Sequence, residues 1–166
     1  MTKQISWGFK DTPVDGVSNL SLSRPVINFS SDFRVKTEKS GEVVLTNLTT
    51  PLDRPEQIRI ATSDIRDVYA NTDIDPSVYA PSKRGVSILT QITDTLSVAD
   101  DNDADFRVDL PVSAHLVVKV PASEYISADK VEALVARLIS TLYETGEDGT
   151  TRIDSVLRGS LVPKGV

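Results

Sequence analysis

Cysteine is absent from the 166 residues. That excludes disulfides, thiolate metal centres and thiol catalysis. There is one histidine, His115, so a triad or a histidine-rich metal site lacks its partners, and His115 reads as a polar or interface position. Aromatics make up 5% of the chain, with a single tryptophan, which leaves few rings for stacking on bases. Long apolar runs are also missing: nothing approaches the length of a membrane span, and residues 1–10 lack the apolar core of a signal peptide. No GxGxxG, P-loop, GxSxG or HExxH pattern occurs. Positive charge is the minority sign, and the net charge of −6 gives no whole-protein attraction to nucleic acid. Any RNA or DNA binding therefore needs a local basic face with the acids placed elsewhere. A pair of carboxylates for hydrolysis can always be drawn from 24 Asp and Glu residues, but their spacing selects none.

What is present is alternation. The length suits one domain with a real core, and residues 1–166 are read as one. Asp15-Gly16 marks a turn between candidate strands at 5–10 and 17–23, with Trp7 and Phe9 anchoring that hairpin. Strands follow at 33–38, with Phe33, Val35 and Thr37 opposed to Arg34, Lys36 and Glu38, then at 42–48 after a Ser40-Gly41 turn, and at 56–62. Residues 63–84 carry acids, Pro76 and Pro81 but no period. So long a loop packs on a neighbour or has a task of its own, and Tyr69 and Tyr79 within it suggest contact between subunits.

Two long alternating strands come next. Residues 85–98 place Val86, Ile88, Ile92, Leu96 and Val98 on one face. Residues 106–120 do the same with Phe106, Val108, Leu110, Val112, Ala114, Leu116, Val118 and Val120. Pro111 cannot donate to a ladder, so it implies a bulge or an edge. Ser127 suits a helix N-cap and Asp129 the first turn. Val131, Leu134, Val135, Leu138, Ile139 and Leu142 then form an apolar stripe at helical spacing, stopped near Gly146. Thr150 or Thr151 can cap a short second helix with Ile153, Val156 and Leu157, ended by Gly159 and Pro163, so that the helices occupy 127–159.

The chemistry of such a chain lies in its faces. The apolar sheet face and the helical stripe call for each other. Two short helices leave part of a large sheet uncovered, which a second copy joined at a sheet edge would complete. The opposite face carries Arg34, Lys36, Arg59, Gln91, Thr93, Thr95, Ser113, His115 and Lys119. Such a face can hold phosphates and unstacked bases, although a plain solvated sheet face has the same composition. Asp101, Asp103 and Asp105 resemble the opening of a calcium loop, but Phe106 and Val112 stand where an EF-hand needs Gly and Glu. A solvated turn explains them in one chain. Repeated around a symmetry axis, with Asp100, they would make a candidate inter-subunit site for a divalent cation such as calcium.

The run VDLPVSAHLVVKVPASEYISADKVEALVARLISTLYE, followed by TRIDSVLRGSLVP, resembles the end of the coat proteins of single-stranded RNA bacteriophages of the levivirus type. The resemblance covers roughly residues 84–163. It implies an α+β subunit: an N-terminal β-hairpin (1–24), a five-stranded antiparallel sheet (26–120), two C-terminal helices and an intertwined dimer. It further implies an icosahedral shell with the polar face toward genomic single-stranded RNA, a genomic operator hairpin on that face, a loop 99–105 at the symmetry axes, a maturation protein as a further partner, and a place in the virion after assembly in the host cytoplasm. No membrane and no enzymatic activity belong to it. The extra length against familiar members falls in 63–84 and the N-terminal third. The alternatives are a free dimeric sheet protein that regulates by binding nucleic acid or a peptide, and, behind it, a hydrolase.

Overall fold

The computed structural model describes residues 8, 27–79, 82–101, 103–144 and 150–166. The N-terminal hairpin expected over 5–23, with Trp7 and Phe9, lies outside them, as do Gly146 and the side chains of residues 79, 103 and 104. The helix expected to stop near Gly146 ends earlier, at Ser140 with Thr141 as its C-cap, because Tyr143 is taken up in a bridge, and Leu142 stands beyond it. The chain divides into two compact units, one over Val26–Ser123 and one that includes Glu124–Val166.

The first unit is an antiparallel sheet of five strands in simple meander order. A one-turn helix, α1 (Phe29–Asp32), leads into β1 (Phe33–Lys39), followed by β2 (Glu42–Asn47), β3 (Gln57–Ile65), a second one-turn helix α2 (Pro76–Tyr79), β4 (Gly85–Asp100) and β5 (Asp103–Pro121). All five strands fall where the sequence placed them, and β1, β3, β4 and β5 run on past their expected ends, whereas β2 stops one residue short, at Asn47. β3 takes in Ser63, Asp64 and Ile65, which pair with Ser87, Val86 and Gly85, so the irregular segment is shorter than the sequence suggested. β4 and β5 continue to a tight turn at Asp101, where Asp100 pairs with Asp103.

Gly41 turns β1 into β2 at φ +78°, in the left-handed region that favours glycine, and a Cβ there would meet the Thr62 carbonyl oxygen at 3.0 Å. Pro111 lies opposite Thr95 in unbroken register on the edge strand β5. The edge placement, not a bulge, accommodates its missing N–H.

One expected face assignment fails. The β1–β2 register shifts between Val35 and Thr37, so Lys36 is an inserted residue with no partner in the ladder. Beyond it Thr37 joins the face of Arg34, and Glu38 moves to the face of Val35, paired with Val43.

β3 accompanies β4 only as far as Thr93. From residue 94 onward β4 and β5 continue alone as a two-stranded ribbon, roughly 20 Å long at the usual strand rise. Leu96, Val98, Val108, Leu110 and Val112 occupy one face of this ribbon and stay exposed. Few of the described residues are buried: Phe33, Ile58, Gly85 and Val118 in this unit, and Tyr143 in the other.

The second unit holds α3 (Ala128–Ser140) and α4 (Ile153–Leu157). Ser127 is the N-cap of α3 as expected, but its side chain makes no capping bond; its carbonyl accepts from the amides of Lys130 and Val131. The N-cap of α4 is Arg152, not Thr150 or Thr151, because Thr151 is taken up in a bridge with Tyr143. Arg152 organises this junction. Its amide donates to the Leu142 carbonyl at 2.7 Å, its guanidinium donates to the Leu161 carbonyl, and its Nε stands 3.7 Å from Glu144. Glu144 in turn accepts from the Lys164 amide at 2.8 Å. Leu134, Leu138, Leu142, Ile153, Val156 and Leu157 are exposed, and Val131 and Val135 half-buried.

Candidate nucleic-acid interface

Cross-strand pairing places residues on the same face in rows. One row runs Thr37, Val44, Arg59, Gln91, His115. The next runs Arg34, Thr46, Gln57, Thr93, Ser113. Arg34, Arg59, Gln91, Thr93, Ser113 and His115 are thus brought onto two adjacent rows at the middle of one face. Thr95 follows one row further out, opposite Pro111 on the ribbon. Lys119 shares the face but sits about 13 Å from His115 along β5 by strand rise, in the row of Ser63 and Ser87. Lys36 alone of the expected set has no row, being the inserted residue.

The electrostatics of this face differ from those of the whole chain. Where its strands pair short of the ribbon, the laddered positions of this face carry Arg34, Lys39, Arg59 and Lys119 against the single carboxylate Glu42, while the ribbon end adds Arg107 together with Asp109. Glu38, Asp64 and Asp94 are on the other face, paired with Val43, Val86 and Val112. A chain of net charge −6 therefore presents an excess of cations on the multi-stranded part of one sheet face, short of the ribbon. Lys39 belongs to that face because the insertion at Lys36 reverses the alternation after it.

Two of the cations are engaged. Arg59 donates from Nε to Glu42 at 2.8 Å and again from its terminal nitrogen, and this guanidinium holds the Glu42 carboxyl below its ordinary range. Arg34 donates only to backbone among the described residues, to the carbonyls of Phe33 at 2.7 Å and Ser30 at 3.2 Å, and makes no ion pair there.

Sequence spacing missed a third feature, at the ribbon end. Arg107 grips Asp109 through Nε at 2.9 Å and Nη2 at 2.6 Å, and Nη2 also reaches Asp53 in the β2–β3 loop at 2.8 Å. Ser97 donates to Asp109 at 2.6 Å, and Arg54 donates to Asp53 at 3.0 Å. Arg107 and then Ser97 lower the Asp109 pKa to about 2, and the two carboxylates raise that of Arg107. This clasp ties the loop before β3 to the overhanging ribbon. Residues so far apart in the chain give no motif. At the acidic tip, among the described residues, no three acidic or imidazole side chains gather at metal-binding distance. Asp101 stands in the turn, and Asp103 and Asp105 lie on β5.

A chain of the virus-like particle of bacteriophage AVE015 is 30% identical to this one over 99% of this chain and 100% of its own, with a TM-score of 0.88. The chain belongs to the levivirus-type coat proteins. The fold alone is shared with the virus-like particle of bacteriophage GQ-112, at 14% identity, TM-score 0.73 and 96% of both chains. It is also shared with that of Beihai levi-like virus 32, at 10% identity, TM-score 0.50, 81% of this chain and 89% of that one. No family model matches the coat protein, and no curated protein does. Its role is that of a structural capsid subunit of the virion rather than of an enzyme. No helix among its described residues is long and apolar enough to cross a membrane.

Proposed function

We propose that this coat protein dimerises, closes into an icosahedral shell and binds single-stranded RNA along the cation-rich face of its sheet. The observation that carries the RNA reading is the register. It collects Arg34, Lys39, Arg59 and Lys119 against Glu42 on the multi-stranded part of one face of an acidic chain, and a face of that kind attracts phosphate with release of counterions. Thr46, Gln57, Gln91, Thr93 and Ser113 on the same two rows supply donors and acceptors for sugars and base edges. These would serve a genomic hairpin as well as unspecific RNA, and a maturation protein is the further virion partner this reading carries.

The dimer reading rests on exposure. Leu96 is 54% exposed, Leu110 45% and Leu138 54%. An apolar ribbon face in one unit and an apolar helical stripe in the other, each left open, are marks of protein–protein surfaces. Among the described residues β5 is an edge strand, with backbone groups to pair with the β5 of a second copy about a two-fold axis.

The test is expression of the coat protein alone in a bacterium, followed by size exclusion, electron microscopy and the ratio of absorbance at 260 and 280 nm. Uniform particles rich in 260 nm absorbance are expected. A small dimer free of nucleic acid would overturn the reading in favour of a regulator.

A further inference from the structure

The segment after β3 does not wander. The Val68 amide donates to the Lys83 carbonyl at 2.9 Å, and the Tyr69 amide to Asp67 Oδ1 at 2.9 Å. Both the amide and the hydroxyl of Thr72 donate to the Tyr69 carbonyl. Asn71 holds φ 64°, and no other non-glycine residue among those described has a positive φ; such residues are uncommon and cluster at sites with a task. Gly85 shows that the segment is built to lie where it does. A Cβ on it would stand 2.2 Å from Val68 Cγ1 and 2.5 Å from the Val120 carbonyl oxygen.

Folded this way, the segment encloses an open cavity of about 520 Å³ against the ends of β3 and β5. That volume is within the range that takes a ligand of nucleotide size. Ile65, Lys119 and Pro121 line it, and the register puts all three on the cation-rich face. Val68 and Ile74 add apolar surface, Tyr69 an aromatic ring, and Asp67 a carboxylate that accepts from the Tyr69 amide. The contents suit a base more than a free phosphate: an apolar floor, a ring for stacking, polar groups from Asn71, Thr72 and the Asp67 carboxylate, and the Lys119 ammonium for the adjoining phosphate.

We infer that this cavity receives an unstacked nucleobase of the packaged RNA, with Lys119 on the adjoining phosphate. The inference rests on the RNA reading above and adds a subsite formed by the segment between β3 and β4. A strand lying on the central rows reaches the cavity by continuing along β5 past His115, so no second binding surface is required. A peptide segment from a neighbouring copy is the competing occupant, and the test separates the two.

RNA-filled particles are irradiated at 254 nm, digested with nuclease and trypsin, and the peptides weighed. Cleavage after Arg66 and Lys83 releases residues 67–83 as one peptide. A nucleotide-mass adduct on that peptide, mapped to Tyr69, is expected. In parallel, a fluorescent single-stranded RNA is titrated onto dissociated subunits. Tyr69→Ala is expected to weaken binding about tenfold, the scale of one lost stacking contact, and Tyr69→Phe to restore it. Adducts confined to peptides of β3, β4 and β5, with Tyr69→Ala binding as wild type, would overturn the base site and leave the RNA face standing. Loss of particles without any change in RNA affinity would give the cavity to a neighbouring copy. Particles without RNA would remove the RNA reading itself.

Discussion

Replacing Gly85 by alanine tests whether the 66–74 segment is seated as described. The new Cβ would meet Val68 Cγ1 at 2.2 Å, the Val120 carbonyl oxygen at 2.5 Å and Pro121 Cα at 3.3 Å. The valine methyl can rotate or move. The carbonyl cannot, because Val120 is fixed in the β4–β5 ladder opposite Val86. Forcing a methyl into such a site costs about 1–3 kcal/mol, and the backbone contact puts this case near the upper end. For a chain of this size a loss of about 3 kcal/mol lowers Tm by about 6–12 °C. The assay is urea and thermal unfolding of dissociated subunits followed by circular dichroism, with Val68→Ala and the double variant completing a cycle. Val68→Ala in the Gly85→Ala background is expected to recover part of the loss, the share due to the methyl, and leave the share due to the carbonyl. Gly85→Ala within about 0.5 kcal/mol of wild type, or a cycle with no coupling, would refute the seating of the segment and with it the cavity.

Other consequences are independent of that segment. Gly41→Ala forces a side chain into the left-handed region beside the Thr62 carbonyl, and is expected to cost about 1–2 kcal/mol in the same unfolding assay. Ile58, 3% exposed, is expected to lose about 2–5 kcal/mol on replacement by alanine, whereas Leu157→Ala, at 80% exposure, should leave subunit unfolding unchanged. Asp109 titrates at about 2, below its ordinary 3.8, so the clasp to Arg107 contributes fully above pH 4 and is lost only as pH falls toward 2. Carboxyl NMR should show Asp109 ionised at pH 3, and a midpoint near 4 would mean the clasp is absent in solution. Binding of unspecific RNA should weaken steeply with salt, and charge removal at Arg34 should reduce the slope of log affinity against log salt by about 0.7, the value for one single-strand phosphate contact.

The sheet was legible because strand alternation is a local signal. Val86 to Val98 and Phe106 to Val120 keep period two through both strands, and the register follows that pattern. α3 was legible for the same reason at helical period. The one error of face, at Thr37 and Glu38, came from an inserted residue, Lys36, that leaves no trace in composition. It is also why Lys39 was absent from the expected cation set while Lys36 was included. The cap of α4 was misplaced because Thr151 pairs with Tyr143 instead, a contact the local sequence does not announce. The Asp53–Arg107 clasp and the cavity beside Lys119 join residues distant in sequence, so only the fold reveals them. Asn71 and Gly85, an asparagine in the left-handed region and a glycine opening a strand, show their purpose only once Val68 is seen beside Gly85.

The central claim is that the face carrying Arg34, Arg59, Gln91, Thr93, Ser113 and His115 meets RNA inside a closed shell. Cryo-electron microscopy of particles formed by the coat protein expressed alone tests it most directly. The account predicts that face turned to the lumen, RNA density along its central rows, and the exposed apolar ribbons and helical stripes covered by neighbouring copies. Particles with that face turned outward, or with density for RNA only elsewhere, would contradict it.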